Sequence, residues 1–356
     1  MPNKRPANLM LNCLFQGKMM RQIFVMLTAM VYAFPAFASC SGPSPFDALP
    51  QNTQAELRHI SNQVPYANGI LWQAEKNGVT SYIVGTMHVS DPRLHKVMQA
   101  LDPHLRDIDH LFLEMTAKDE VAFMGHLTRH PETYLITTGP SLVDRLGETH
   151  WQRLLVRLND MGMPGFMAAR YQPWFLGLVL SVPPCMLEEK RKGRHGLDRR
   201  IEQQVFDRDI TTSSLDTTET LLEILASDPI DRQVEQFQQS LSLGISESAG
   251  IESVIAHYFA EETQLAWEYA AFNAYELAGP ENAEYVTTTL EEMHQALVVH
   301  RNTLWLEKLS PALSATPSLV AVGALHLPGD AGILSGLKQQ GFTITRLPIP
   351  KPAIAD

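Results

Sequence analysis

The sequence predicts an α/β fold: a mixed central sheet built from both ends of the chain, with flanking helices and a largely helical middle. Three observations predict it. Ser81-Tyr82-Ile83-Val84-Gly85-Thr86-Met87-His88 and Leu319-Val320-Ala321-Val322-Gly323-Ala324-Leu325-His326 are short β-branched apolar runs suited to buried strands, and each ends in Gly-x-x-His. Asp109 to Met115 is a third apolar run, carrying Glu114 at its end. Between these runs the apolar residues recur at steps of three and four, the period of an amphipathic helix. With 356 residues, 45% hydrophobic and 19% charged, the chain has enough apolar material for a real core, which excludes extensive disorder.

Residues 1–38 read as a secretory signal peptide. Lys4, Arg5, Lys18 and Arg21 precede an apolar run from Ile23 to Phe34, no acidic residue comes before Asp47, and Ala36-Phe37-Ala38 supplies a small-x-small cleavage site. The run is shorter than the roughly 20 residues a helix needs to cross a bilayer. The protein is therefore expected to be exported, to the periplasm or beyond. Residues 39–50, with Gly42, Pro43, Ser44 and Pro45, read as a tether, and residues 51–356 as one α/β domain with a helical insertion at about 118–309.

Cys13 precedes the cleavage site, which leaves Cys40 and Cys185. In an oxidising compartment these two are expected to pair. Two alternatives stay open. Phe37-Ala38-Ser39-Cys40 is an imperfect lipobox that would make Cys40 a lipid anchor, the one route to a membrane, or both thiols are free.

Within the domain, Gly69 to Glu75, the turn Lys76-Asn77-Gly78 and Val79 to Val84 read as a β-hairpin, because Asn-Gly takes the positive-φ turn geometry. Helices are expected over 92–105, 119–130 and 141–160. Ile251, Val254, Ile255, Tyr258 and Phe259, then Leu265, Tyr269 and Phe272, keep one apolar helical face to about Leu277, and Gly279-Pro280 ends it. A further long helix over 286–309 carries Arg301, residues 311–317 form a loop, and Gly341 to Thr345 is the last strand.

The formal net charge is −11 and moves to about −15 once the four basic residues of 1–38 are removed. Nucleic-acid binding, which needs a basic surface, is excluded on this ground, and so is attraction to an anionic membrane.

Ligands of open α/β sheets bind beyond the carboxyl ends of the strands, where His88, Glu114 and His326 are all expected. Two imidazoles and a carboxylate form a ligand set suited to Zn²⁺, Mn²⁺ or Co²⁺, with room for a water whose pKa the metal would lower.

The chain resembles the TraB/GumN family, related to the Tiki metalloproteases and more distantly to the erythromycin-esterase and ChaN-like proteins. The resemblance rests on Leu71-Trp72, Gly85-Thr86-Met87-His88, Leu113-Glu114, Gln172-Pro173-Trp174, Gly196-Leu197-Asp198, His300-Arg301-Asn302 and Val322 to Gly329. It implies a metal-dependent hydrolase, a peptidase in the Tiki branch, in which His88, Glu114 and His326 hold the metal or activate water. Peptides or small molecules are the substrates it implies. Two alternatives come with it: a non-catalytic periplasmic binder of metal or haem, and a hydrolase of the esterase branch that uses histidine as a base without metal.

The resemblance also adds Arg301, whose guanidinium near the site could hold a substrate carboxylate or a developing oxyanion, with Asn302 beside it. Asp216 falls where many relatives carry glutamate, and its carboxylate would reach about 1 Å less far. Asp198, opening a helix, reads first as an N-cap. His126 and His130 at i and i+4 read as a solvated face, Glu188 to His195 as an exposed charged loop, and Trp174 as a core anchor.

Overall fold

A computed structural model describes residue 40 and residues 42–243 and 250–349. The signal-peptide expectation for 1–38 lies outside the described residues. The predicted α/β class holds. Six strands form one mixed sheet: β1 (Leu71–Lys76), β2 (Val79–Thr86), β3 (His110–Leu113), β4 (Thr211–Ser214), β5 (Ser318–Gly323) and β6 (Thr343–Arg346), in the order β4-β3-β5-β2-β1-β6.

β1 and β2 form the expected hairpin, with Asn77 (φ 55°) and Gly78 (φ 80°) both in the left-handed region that a two-residue turn demands. β2, β5, β3 and β4 run parallel to one another. β5 is buried through Ser318–Val322, as a central parallel strand covered on both faces must be. One face packs Val84, Leu111, Leu113 and Leu319 against the helices Leu94–Leu101, Leu197–Val205 and Ile251–Phe259. The other packs Ile83, Phe112, Val320 and Val322 against Trp305, Leu309 and Leu313 of the helix Arg301–Leu313 and against Ile333, Leu334 and Leu337. A third apolar cluster, Ile136 to Leu241, is drawn from helices except for Ile136 and lies outside the sheet.

Several expectations are corrected. One strand comes from the middle of the chain, because the polar segment Thr211-Thr212-Ser213-Ser214 pairs with β3 at the sheet edge. The expected 251–277 helix is two, Ile251–Phe259 and Thr263–Ala278, since Glu261 turns to φ 60° between them. The 286–309 helix is longer: Ala283–His294 runs through a π-helical turn, Gln295–His300, into Arg301–Leu313, and Pro311 sits inside the last turns rather than starting a loop. The expected 92–105 helix is confined to Leu94–Leu101. The first half of the expected charged loop 188–195 is helical instead: residues 188–191 end the helix Pro184–Arg191, with Arg191–Glu188 and Lys192–Glu188 pairs at helical spacing.

The tether is not loose. Phe46 is fully buried against His257 and Tyr269, and Ser44 Oγ lies 2.8 Å from Ser253 Oγ. Cys40 is bonded to Cys185, so the sulfur that a lipid anchor would use is engaged in the disulfide. Among the described residues no helix is long and apolar enough to cross a membrane.

Candidate functional site

The parallel register sets the site. Gly85 lies opposite Val322 and Thr86 opposite Gly323, so the two Gly-x-x-His loops leave the sheet side by side. Leu113 lies opposite Ala321 on the other flank of β5, which brings Glu114 out beside Gly323. Beyond β4, the Asp216 N–H donates to the Glu114 carbonyl at 3.0 Å. Asp216, Glu114, His326 and His88 therefore follow the carboxyl ends of four adjacent parallel strands, the position where open α/β sheets bind ligands.

Two glycines explain why the loops can meet. A Cβ on Gly85 would stand 2.9 Å from the Ala324 backbone, so the turn after β5 can cross β2 only where a side chain is missing. A Cβ on Gly196 would stand 2.5 Å from the carbonyl oxygens of both Met87 and His88. That close approach lets the Leu197 N–H donate to the Met87 carbonyl at 2.9 Å and brings Asp198 to His88.

His326 is 5% exposed and lies 4.4 Å, ring to ring, from the fully buried Trp305. Its tautomer follows from its partners. Asn302 Nδ2 donates to the carbonyls of His326 (3.1 Å) and Ala331 (2.9 Å), which turns Asn302 Oδ1 toward His326 Nδ1 at 2.7 Å. Arg301 Nη1, which can only donate, stands 3.2 Å from His326 Nε2. The proton is thus on Nδ1, and the Nε2 lone pair faces the Arg301 guanidinium. Burial pushes the imidazole down to about 4, and the Arg301 charge acts the same way, against the pull of Glu114.

Arg301 ties the carboxylates together. Its Nη2 donates at 2.6 Å to both Glu114 Oε2 and Asp216 Oδ2, Nε reaches Asp216 Oδ1 at 3.5 Å, and Nη1 reaches the Leu297 carbonyl at 3.4 Å. With His326 Nε2, these five acceptors match the five N–H groups of a guanidinium. Trp305 supports the cation from below, 4.5 Å from its ring centre, and donates Nε1–H to Asp216 Oδ1 at 2.8 Å. Burial alone would raise Glu114, but Arg301, the two histidines and the Gly323 N–H (2.5 Å) outweigh it and hold the carboxyl down to about 2.

His88 is the open member, with 54% of its side chain exposed. Its Nδ1 lies 3.4 Å from the buried Asp198 Oδ1. Contact with that carboxylate, with a smaller push from Glu114, raises the imidazole to about 9 despite partial desolvation of the ring. His88 also lies within electrostatic range of Arg301 and His326. One histidine is therefore neutral and buried, the other cationic and open.

His88, Glu114, His326 and Arg301, all singled out from sequence, come together. Three further members were underrated there. Asp216 does reach the site, because Arg301 extends to meet it. Asp198 is not an N-cap, since Gly196 holds that position, and it faces His88 instead. Asn302 fixes the His326 tautomer. His126, in the helix Ala117–Arg129, and His130, which caps its end, lie 4.6 Å apart ring to ring, and Trp174 is half-buried with its N–H on the Thr133 carbonyl.

His88, Glu114 and His326 do not fit a metal as arranged. The Nε2 lone pair of His326 and a Glu114 oxygen both receive N–H groups of Arg301, so a fixed cation stands where a metal would bind. Among the described residues no group of three or more histidine, cysteine or acidic side chains is disposed to hold an ion.

The TraB/PrgY/gumN family model matches residues 70–346, a span that begins beside β1 and ends with β6 and so takes in the whole sheet and every residue of the site. No curated protein and no solved structure matches the chain.

Proposed function

The chain belongs to the TraB/PrgY/gumN family, and from that premise we propose that it is an exported hydrolase that cleaves an acyl bond with His326 as base and His88 as acid. One observation carries this: the two histidines are driven in opposite directions, His326 to about 4 and His88 to about 9. Paired titratable groups pushed apart by their surroundings supply a base and an acid at the same pH.

Water adds to the substrate carbonyl as its proton passes to His326 Nε2, a step that requires Arg301 Nη1 to give up its contact with that nitrogen. Glu114 Oε1, 3.9 Å from Nε2, stabilises the imidazolium that forms. The carbon–nitrogen or carbon–oxygen bond then breaks, and the leaving group takes the proton that His88 carries. Because the Arg301 N–H groups are all engaged, Arg301 acts as a positioning residue that holds Glu114, Asp216 and His326 in place, and the exposed His88 is the cation within reach of substrate.

Export is supported by the basic and then apolar start of the chain and by the Cys40–Cys185 bond, since disulfides persist in oxidising compartments.

A second reading, metal-dependent hydrolysis, is favoured by a separate observation. Both histidines turn Nδ1 to an oxygen partner, Asp198 and Asn302, an arrangement that leaves Nε2 for a metal. It requires Arg301 to release His326 and Glu114.

The test is turnover of an ester and peptide library by protein dialysed against chelator, beside His326→Gln and His88→Gln. Turnover that survives chelation and falls on the order of 10²- to 10⁴-fold in His326→Gln supports the acid–base mechanism. Turnover that returns only with Mn²⁺, Co²⁺ or Zn²⁺ replaces it with the second reading. Metal or haem bound without turnover of any library member makes the protein a binder.

A further inference from the structure

A groove of about 590 Å³ lies between the helices Thr263–Ala278 and Ala283–His294, with residues 63–65, Leu325 and residues 328–331 along its floor. Gln264, Trp267, Glu268, Ala271 and Tyr275 line one wall at steps of three and four, and Thr287, Leu290, Glu291, His294 and Val298 line the other in the same way. The helices form a hairpin, so Tyr275 meets Thr287 (2.9 Å between hydroxyls) at one end and Trp267 meets His294 (5.6 Å between rings) further along.

The groove and the site share one helix and one turn. Val298 is followed on the same helical stripe by Arg301, Asn302 and Trp305, so one helix face lines the groove and then holds the catalytic histidine. The passage from one to the other is the π-helical turn Gln295–His300, a local widening frequent at functional sites. On the floor, Leu325 is 38% exposed and belongs to the groove, while the next residue is the buried His326.

The lining sets the chemistry. Trp267, Leu290, Val298 and Leu325 give apolar surface, and Glu268, Glu291 and Asp330 give three carboxylates. Glu291 and Asp330 have no ion-pair partner among the described residues, and Glu268 is held only by Gln264 Nε2 at 2.8 Å. From Gln264 to Tyr275 a helix advances about 16 Å, the span of about five residues of extended chain.

We infer that this groove binds a short extended peptide segment bearing a basic side chain, which the carboxylates and Trp267 hold while the backbone leads to His326. Its role as substrate rests on the hydrolase reading; its binding does not.

The test is fluorescence anisotropy with a blocked, fluorescein-labelled pentapeptide carrying a central lysine between leucines, against the same peptide with a central glutamate, with cleavage followed separately by chromatography. The lysine peptide should bind the wild-type protein at least tenfold more tightly. Glu268→Gln/Glu291→Gln should remove that preference with an unchanged circular dichroism spectrum, and added salt should weaken it. Lysine peptide bound but uncut supports the groove and counts against hydrolysis. Equal binding of the two peptides, no binding of either, or a preference that survives in the double variant overturns the inference.

Discussion

Asn302 Oδ1 accepts the Nδ1 proton of His326 at 2.7 Å, and this contact decides which nitrogen of the buried histidine faces the site. Asn302→Ala should leave that N–H buried without a partner and cost about 1–3 kcal/mol in chemical denaturation. Asn302→Asp should instead place a carboxylate there and raise the His326 pKa, seen as imidazole shifts that titrate closer to neutrality.

The two histidines impose opposite pH dependences on stability. His326 is lowered to about 4, so between 4 and the unfolded value near 6.5 the unfolded chain binds more protons, and stability falls as pH drops through that window. His88 is raised to about 9, so its contribution is complete below about 6.5 and is lost as pH rises toward 9. As far as these two groups govern it, Tm should peak near pH 6.5. Asp198→Asn should flatten the alkaline limb and leave the acid limb in place.

Removing the guanidinium should be the most damaging single change at the site. Arg301→Met leaves the Glu114 and Asp216 carboxylates buried beside each other without their cation, a loss of about 3–5 kcal/mol in a denaturant titration. Arg301→Lys should recover only part of it, because an ammonium cannot make the two-sided contacts of a planar fork.

Gly196 and Gly177 form a matched pair. A Cβ on Gly196 meets two backbone oxygens at 2.5 Å, so Gly196→Ala must displace Asp198 from His88 and should lower Tm on the order of 5 °C. A Cβ on Gly177 in the helix Pro173–Ser181 meets nothing within 4 Å, so Gly177→Ala should be neutral or gain about 0.4–1 kcal/mol.

The parts legible in the sequence were those with a local signal. Apolar runs ending in Gly-x-x-His mark β2 and β5, Asn77-Gly78 marks the hairpin, and a carboxylate after an apolar run marks Glu114. What escaped depends on pairing across distance. Thr211–Ser214 carries no apolar alternation, because an edge strand is exposed along much of its length, so only its bonds to β3 reveal it. Asp216 looked too short for its role, yet the long Arg301 side chain closes the gap. The place of Asp198 could not be read locally, because it depends on how near Gly196 comes to His88.

The proposed chemistry needs His326 as a neutral Nδ1–H imidazole and His88 as a cation at the same pH. The most direct measurement is a ¹⁵N-imidazole NMR titration of chelator-treated protein, with His88→Gln and His326→Gln to assign the signals. One histidine should stay Nδ1–H and neutral down to about pH 4, and a second should stay charged up to about pH 9. Both histidines titrating together near 6.5, or His326 carrying its proton on Nε2, would contradict it.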